Sequence, residues 1–508
     1  MNMPRSDTRS AGVVATLAFA GTVAAIMQTL VTPLLPQLPS ILHTTPSNSN
    51  WLITVTLLVA AVCVPVTGRL GDLLGKRRVL LALTVPLFAG SVVCALSTSV
   101  WPMIIGRGLQ GMGMGMVPLG IALLRDAVPR EKLSSSIALV SASMGIGGGL
   151  GLPLAAAVAE YANWRVLFWG SAVLAVVIAV LVWTLIPDVA PASRGQGFDA
   201  PGAVLLGAGL VALLLAVSKG ADWGWTSGAV IGLFGGAIIA LLAWGAWELR
   251  TRHPLIDLRT TAKPRVLTTN IASIFVGVGM YSSMLVFPQL LQLPQATGYG
   301  LGQSMLAAGL WMLPGGLMMM LISPLGGKLT DARGPKITLM CGATVLAAGY
   351  LLSLPLSAST WGIMISLMIM NSGVGLAYGA MPALIMGSVP LSETAAANGF
   401  NTLMRSLGTS IGAAVIGAVL AQMTINFGGH TMASETGFHT ALIIGAAVSL
   451  IALLIAAAIP RNRDAAHSDT DPMTTEQTTT ITTRRGQNFE EAESASKALH
   501  RDEIHDHA

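Results

Sequence analysis

The sequence predicts an all-α polytopic membrane protein assembled from two related halves. Three observations carry that prediction. Of 508 residues, 53% are hydrophobic and 10% charged, against roughly 25% charged in an ordinary globular domain. Apolar runs recur from Ala11 to Ile459, each near the length of about 20 residues that crosses a bilayer core of roughly 30 Å. Finally, a short basic turn, Gly68-Arg69-Leu70-Gly71-Asp72-Leu73-Leu74-Gly75-Lys76-Arg77-Arg78, returns as Gly327-Lys328-Leu329-Thr330-Asp331-Ala332-Arg333-Gly334-Pro335-Lys336. Glycine, leucine, aspartate and glycine recur at matching offsets, as in a duplicated helix–turn–helix unit.

Taken in order, the runs give fourteen spans: 11–36, 51–67, 78–97, 101–123, 134–159, 165–187, 202–218, 228–248, 266–291, 301–324, 337–356, 361–386, 396–422 and 437–459. The first begins after Arg5 and Arg9 and could pass for a signal peptide, but it stays apolar to Leu35. That length marks a full span, since a signal h-region is short. The two copies of the turn lie 259 positions apart, from Gly68 to Gly327. Six helices with their connections need only about 200. The excess predicts two inserted helices, opened by Phe198-Asp199-Ala200-Pro201-Gly202 and closed by Pro254-Leu255-Ile256-Asp257-Leu258-Arg259. Trp223, Trp225, Trp244 and Trp247 near the insert's ends suit interfacial anchoring.

The expected organisation is a six-helix bundle over 1–190, a two-helix insert over 191–262, a second six-helix bundle over 263–460 and a disordered, acidic, threonine-rich tail over 461–508. Basic residues retained in short loops mark the cytoplasmic side. Placing the N-terminus inside puts the Arg69–Arg78 turn, Arg125, Arg130, Lys132, Lys328, Arg333 and Lys336 there, and leaves only Arg165 and Lys219 outside. The protein is therefore expected to be a multi-pass cell-membrane protein with both termini cytoplasmic.

Cys63, Cys94 and Cys341 all lie within apolar runs and read as small core residues. No metal-ligand spacing, P-loop, HExxH or nucleophile elbow occurs, so neither an enzyme nor a cofactor, metal or nucleic-acid partner is expected.

The Gly68–Arg78 turn resembles the signature between helices 2 and 3 of the major facilitator superfamily, G-x-L-x-D-x-x-G followed by two basic residues. Within that superfamily the chain is similar to the fourteen-helix drug:proton antiporters. The resemblance covers nearly the whole chain and implies the major facilitator fold, two six-helix bundles plus two inserted helices. It also implies a cytoplasmic gate at Gly68, Asp72, Gly75 and Arg77, echoed by Asp331. The basic cluster also serves to fix topology. Arg107-Gly108-Leu109-Gln110-Gly111-Met112-Gly113 resembles the family's R-x-x-Q-G-x-G, where the arginine is associated with proton coupling. An intramembrane arginine faces a cavity or partner, or snorkels outward. Gly145–Ala156 resembles the antiporter motif G-x-x-x-G-P-x-x-G-G through Gly147, Gly151 and Pro153. There the proline is displaced by one and the last two glycines are Ala155 and Ala156.

Helix 1 departs from the family. The stretch is Met27-Gln28-Thr29-Leu30-Val31-Thr32-Pro33-Leu34-Leu35-Pro36, with methionine at the position of the embedded aspartate. No acidic residue stands near the middle of any span. Asp126 and Glu160, at helix ends, are the remaining groups that could exchange a proton, and Asp126, close to Arg125 and Arg130, is the preferred one.

Candidate cavity residues are Gln28, Thr32, Gln110, Met114, Gln289, Asn371, Asn398, Asn401 and Arg405. Asn398, Asn401 and Arg405 share one helical face. The asparagines read equally as hydrogen-bonding glue between helices, and Arg405 as a lipid-phosphate contact near the cytoplasmic end. Methionines cluster at Met112–Met116, Met312–Met320 and Met364–Met370, where thioethers suit a promiscuous pocket or plain apolar packing.

With these residues, the resemblance implies a monomeric transporter, with a small-molecule substrate, protons and the bilayer as partners, that exports amphipathic organic compounds by proton antiport. The alternatives are facilitated uptake without proton coupling, and a membrane sensor whose tail is the working end. Deleting the chain after Arg463 separates the sensor from the rest. An exporter keeps conferring tolerance to its compounds in a sensitivity assay, whereas a sensor loses its output.

Overall fold

The computed structural model describes residues 4–34, 38–191, 193, 195–427 and 430–460. It runs α1 (Pro4–Thr29), the short α2 (Leu38–Ile41), α3 (Pro46–Leu74), α4 (Lys76–Leu96), α5 (Val100–Met112), α6 (Met116–Ala127), α7 (Arg130–Tyr161) and α8 (Arg165–Leu185). Next come α9 (Ala200–Trp223), α10 (Gly228–Glu248), the short α11 (Leu258–Thr261), α12 (Pro264–Gln292), α13 (Met305–Arg333), α14 (Pro335–Leu356), α15 (Thr360–Met386) and α16 (Thr394–Gln422). A hairpin of β1 (Thr424–Phe427) and β2 (His430–Ala433) precedes α17 (Glu435–Ala458). The tail expected over 461–508 lies outside the described residues.

Thirteen helices among the described residues are long and apolar enough to cross a membrane. The expected fourth span, 101–123, is present but divided: α5 and α6 are joined by a 3-10 turn at Gly113–Gly115. Close packing accounts for the break. A Cβ at Gly113 would meet the Leu87 side chain at 2.8 Å, and one at Gly115 would run into the Thr67 hydroxyl. Glycine is a poor helix former, so this stretch tightens where its neighbours crowd it. With the divided segment counted, all fourteen predicted runs are found. The hairpin was not expected; it pairs Thr424 with Ala433 through Phe427 with His430.

Side-chain burial sorts the helices. One large buried cluster joins α1 and α3–α8 through residues such as Val23, Met27, Leu83 and Phe168. A second joins α12–α17 through Val276, Phe287, Tyr350, Met370 and Phe438. The insert, α9 and α10, contributes Leu206, Leu210, Leu214 and Trp244 to a third cluster, with Leu58 and Ala61 of α3 and Phe400 and Leu403 of α16. It therefore packs across the line where α3 meets α16. Outward faces are apolar, as on α8 (Val166, Trp169, Val173, Val180, Trp183) and α10 (Ile231, Ile238, Ile239, Leu242). Stripes of this size would be aggregation sites in water; in a bilayer they meet lipid.

The duplicated turn is duplicated in backbone too. Gly75 (φ 97°, ψ 131°) ends α3 and starts α4, and Gly334 (φ 86°, ψ 156°) ends α13 and starts α14. Both φ values are positive, where only glycine sits without strain. Both turns also lie at one end of the molecule. Asp72 meets the start of α16, Lys76 pairs with Asp126 just before α7, and Gly327 packs on Ser135 near the start of α7. We call this the basic end.

A test compares two glycines whose added methyl would touch nothing within 4 Å. Gly334→Ala forces alanine into positive φ and is expected to lower stability by about 1–2 kcal/mol. Gly170→Ala, inside α8, is expected to raise it by about 0.5–1 kcal/mol. Thermal unfolding in detergent reads both; equal shifts would contradict the assigned turn.

Candidate functional site

The polar contacts between the first six spans and the last six gather at the basic end. At their centre Asp72, only 1% exposed, accepts hydrogen bonds from the backbone N–H groups of Ala395 (3.1 and 3.3 Å) and Ala396 (3.0 Å). These residues lie in the first turn of α16, whose N–H groups have no partner within the helix. A carboxylate there satisfies them and complements the helix dipole. Close approach depends on Gly68: a Cβ at that position would lie 2.5 Å from the Ala395 carbonyl oxygen.

Supporting contacts surround the carboxylate. Lys76 lies 4.0 Å from Asp72 and 2.5 Å from Asp126. The Asp126 side chain keeps 18% of its surface exposed, and its partner is thus Lys76, in place of the neighbouring arginines. Arg125 instead donates across the interface to the Thr394 hydroxyl (2.9 Å) and the Val389 carbonyl (3.3 Å). Ser193 donates to the Ser392 carbonyl at 2.8 Å. Arg77 donates to the Trp183 carbonyl of α8, within the first six spans.

Asp331 does not repeat the arrangement. It is exposed and has no hydrogen bond or ion pair among the described residues. The reason lies in helix lengths. Gly327 packs on Ser135, with an added Cβ 2.5 Å from its Cα, much as Gly68 packs on Ala395. But α7 already begins at Arg130, so the N–H groups beside Ser135 belong to the interior of a helix and are already bonded. In α16, which begins at Thr394, the equivalent donors are free.

The second seam joins α7 to α13. Gly147 and Gly151 turn toward α1, where a Cβ would run into the Thr22 carbonyl and the Thr29 hydroxyl. Gly145, Gly149 and Pro153 turn toward α13, against Met319, Gly316 and Gly309. The glycine run thus lets one helix pack tightly on both of its neighbours.

Arg107 is 1% exposed and does not snorkel. It donates to the backbone carbonyls of Met27 (2.8 Å) and Leu52 (3.3 Å) and to Gln110 Oε1 (2.8 Å); Gln110 in turn donates to the Ser91 hydroxyl (2.8 Å). The Met27 main chain supplies an acceptor although its side chain cannot. Asp126 lies nineteen residues further along the divided span, about 28 Å away at helical rise, out of reach of Arg107.

The remaining candidates separate. Gln28, Thr32 and Gln289 are exposed, and Met114 is half-buried in the 3-10 turn. Asn371 donates to the Leu367 carbonyl of its own helix. Asn401 is interhelical glue, donating to Asn270 Oδ1 (2.9 Å) and the Ser273 hydroxyl (2.8 Å). Asn398 is 2% exposed, and neither its Nδ2 nor its Oδ1 has a partner among the described residues. Arg405 stands eleven residues into the 29-residue α16, about 16 Å along its axis. It is therefore mid-helix rather than at the end, with its guanidinium 4.1 Å from the Tyr378 ring centroid. Lys219, expected in an outer loop, is buried near the end of α9 beside the Trp51 ring. Asp199, in the segment that opens the insert, and Glu248, at the end of α10, are buried at the base of the insert. They accept from the Trp247 and Trp244 indoles.

The profile of the Major Facilitator Superfamily matches residues 17–413. The MFS-type transporter Rv1877 of Mycobacterium tuberculosis is 30% identical over 408 residues, covering 79% of this chain and 58% of that protein. The chain therefore spans little more than half the length of that relative. The multidrug transporter protein MdtP of Bacillus subtilis is 26% identical, with 74% and 69% covered. The putative multidrug resistance protein MdtD of Salmonella paratyphi B is 28% identical, with 77% and 82% covered. Among solved structures, the human organic anion transporter MFSD10 superposes with a TM-score of 0.63 at 16% identity, covering 88% of this chain and 99% of that one. The proton:xylose symporter XylE gives 0.62 at 14% identity, with 90% and 97% covered. A membrane-length helix array with a duplicated glycine turn, matched along most of its length by one family profile and by that family's fold, identifies the chain as a member of the major facilitator superfamily.

Proposed function

We propose that the protein exports amphipathic organic compounds, of the drug or natural-product class, by alternating access coupled to proton entry. In this reading it acts as a monomer in the cell membrane, with the basic end and both termini in the cytoplasm. The basic loops support that orientation. The names of MdtP and MdtD support the cargo class.

The observation that carries the reading is the placement of the bonds between the halves. The contacts of Asp72 and Arg125 tie the two halves at one end, and Ser193, in the connection between α8 and α9, adds a bond to the Ser392 carbonyl there. The tight α7–α13 seam gives them an axis to rock about. Each charge-assisted bond is worth about 1.5–3 kcal/mol, so the gate is a few such bonds deep. A substrate that binds one state better by a similar amount shifts the balance. Gly68, Gly75 and Asp72 form the gate; Arg77 braces α4 against α8; Asp331 stays outside it in the closed arrangement.

Proton coupling is assigned to Asp126. Lys76 sits between it and Asp72. A proton on Asp126 releases Lys76 toward Asp72, where it competes with the α16 N–H groups and loosens the gate. Arg107, too distant to act on Asp126, positions α1 against α5. A second reading, transport without coupling, is favoured by Met27, because Arg107 meets a carbonyl where a titrating side chain would be needed.

Expression in an efflux-deficient host, scored for compound tolerance with and without an uncoupler, tests export itself. In proteoliposomes carrying a pH gradient, Asp126→Asn is expected to abolish the pH-driven component and spare downhill flux. Unchanged pH-driven transport in that variant would overturn the assignment, and insensitivity of the wild type to the uncoupler would favour the second reading.

A further inference from the structure

Arg405 carries a positive charge into the middle of α16 with no counterion among the described residues. It is 7% exposed, and no carboxylate or carbonyl among the described residues accepts a hydrogen bond from it. Its one described interaction is the stack on Tyr378 of α15. Stacking meets the guanidinium face, while the five N–H donors in its plane still need acceptors. A cation at this depth is costly unless a partner arrives.

Two turns below on the same face stands Asn398, wholly buried, with donor and acceptor both unsatisfied. Buried amides are almost always bonded, so an orphan on the same stripe as an unpaired arginine marks a place built for something else. Between them Asn401 is pinned by Asn270 and Ser273 of α12, which holds the helix face in register. The neighbouring surface is soft and apolar: the Tyr378 hydroxyl donates to Met280 Sδ at 2.9 Å, and the Ser273 hydroxyl to Met381 Sδ at 2.9 Å. Thioethers adapt to varied shapes.

We propose that Arg405, stacked on Tyr378, binds the anionic group of the substrate, and that Asn398 bonds a polar group at its other end. This rests on the export reading and narrows its cargo to amphipathic organic anions. The in-plane edge of the guanidinium takes a carboxylate in a bidentate pair. Seven residues of helix set the two polar points about 10 Å apart, the span of two or three fused rings.

The test uses the purified full-length protein and two dyes on one xanthene skeleton, anionic fluorescein and cationic rhodamine 123. Binding and proteoliposome transport are both measured. The wild type is expected to bind fluorescein, Arg405→Gln to weaken that binding at least tenfold, and Arg405→Lys to fall between. Tyr378→Leu should weaken it several-fold, and rhodamine 123 should bind no worse in Arg405→Gln than in wild type. Wild type that binds no fluorescein, or equal fluorescein binding by wild type and Arg405→Gln, overturns the proposal. So does parallel loss of both dyes in Arg405→Gln while Arg405→Lys restores both, since that marks a structural arginine. Binding of fluorescein that depends on Arg405 without transport keeps the anion site and rejects export.

Discussion

One buried carboxylate on the first turn of a helix organises the molecule. Asp72 reaches from the end of α3 to Ala395 and Ala396 of α16, so two elements more than three hundred residues apart are joined by main-chain donors. The contact needs three things together: a glycine at 68 to let the backbones approach, a glycine at 75 to turn the chain into α4, and a helix that starts at Thr394 with its donors free. Lys76, Asp126 and Arg125 are arranged around that point. Such a bond is strong when made and releasable as a unit, since the donors return to water when the helix end withdraws.

The duplication is thus symmetric in fold and asymmetric in chemistry. The second copy keeps the turn and the close glycine, yet the stretch of α7 against Gly327 has its amides already spent and Asp331 is exposed. One of the two turn carboxylates is therefore buried and the other is exposed. The insert adds to the asymmetry. Its α9 packs on both α3 and α16, so it covers the seam that the Asp72 bond closes, while the α7–α13 seam has its own glycine packing. Motion that opens the first seam has to carry or slide past the insert. The base of the insert is held by the Asp199–Trp247 and Glu248–Trp244 bonds.

Much of this was legible in the residues. Hydropathy located all fourteen apolar runs because a bilayer fixes their length, and the recurrence of Gly68 at Gly327 announced the repeat. The details that escaped depend on tertiary neighbours. Nothing local in Gly113-Met114-Gly115 says that Leu87 and Thr67 crowd it into a 3-10 turn. Arg107 was readable as a buried cation, but its acceptors, the carbonyls of Met27 and Leu52, have no side-chain signature. Helix periodicity put Asn398, Asn401 and Arg405 on one face, and only packing showed the middle one bonded and the lower one orphaned. The free state of Asp331 follows from where α7 begins, a boundary that composition leaves uncertain by more than a turn.

The central claim is that the Asp72 carboxylate holds the basic end shut. Spin labels at Arg78 and Leu391, in a background lacking the three native cysteines, report the separation of the two halves there by pulsed dipolar spectroscopy. The account predicts one short distance with Asp72 present and a substantial longer-distance population in Asp72→Ala. Identical distance distributions in the two proteins would contradict it.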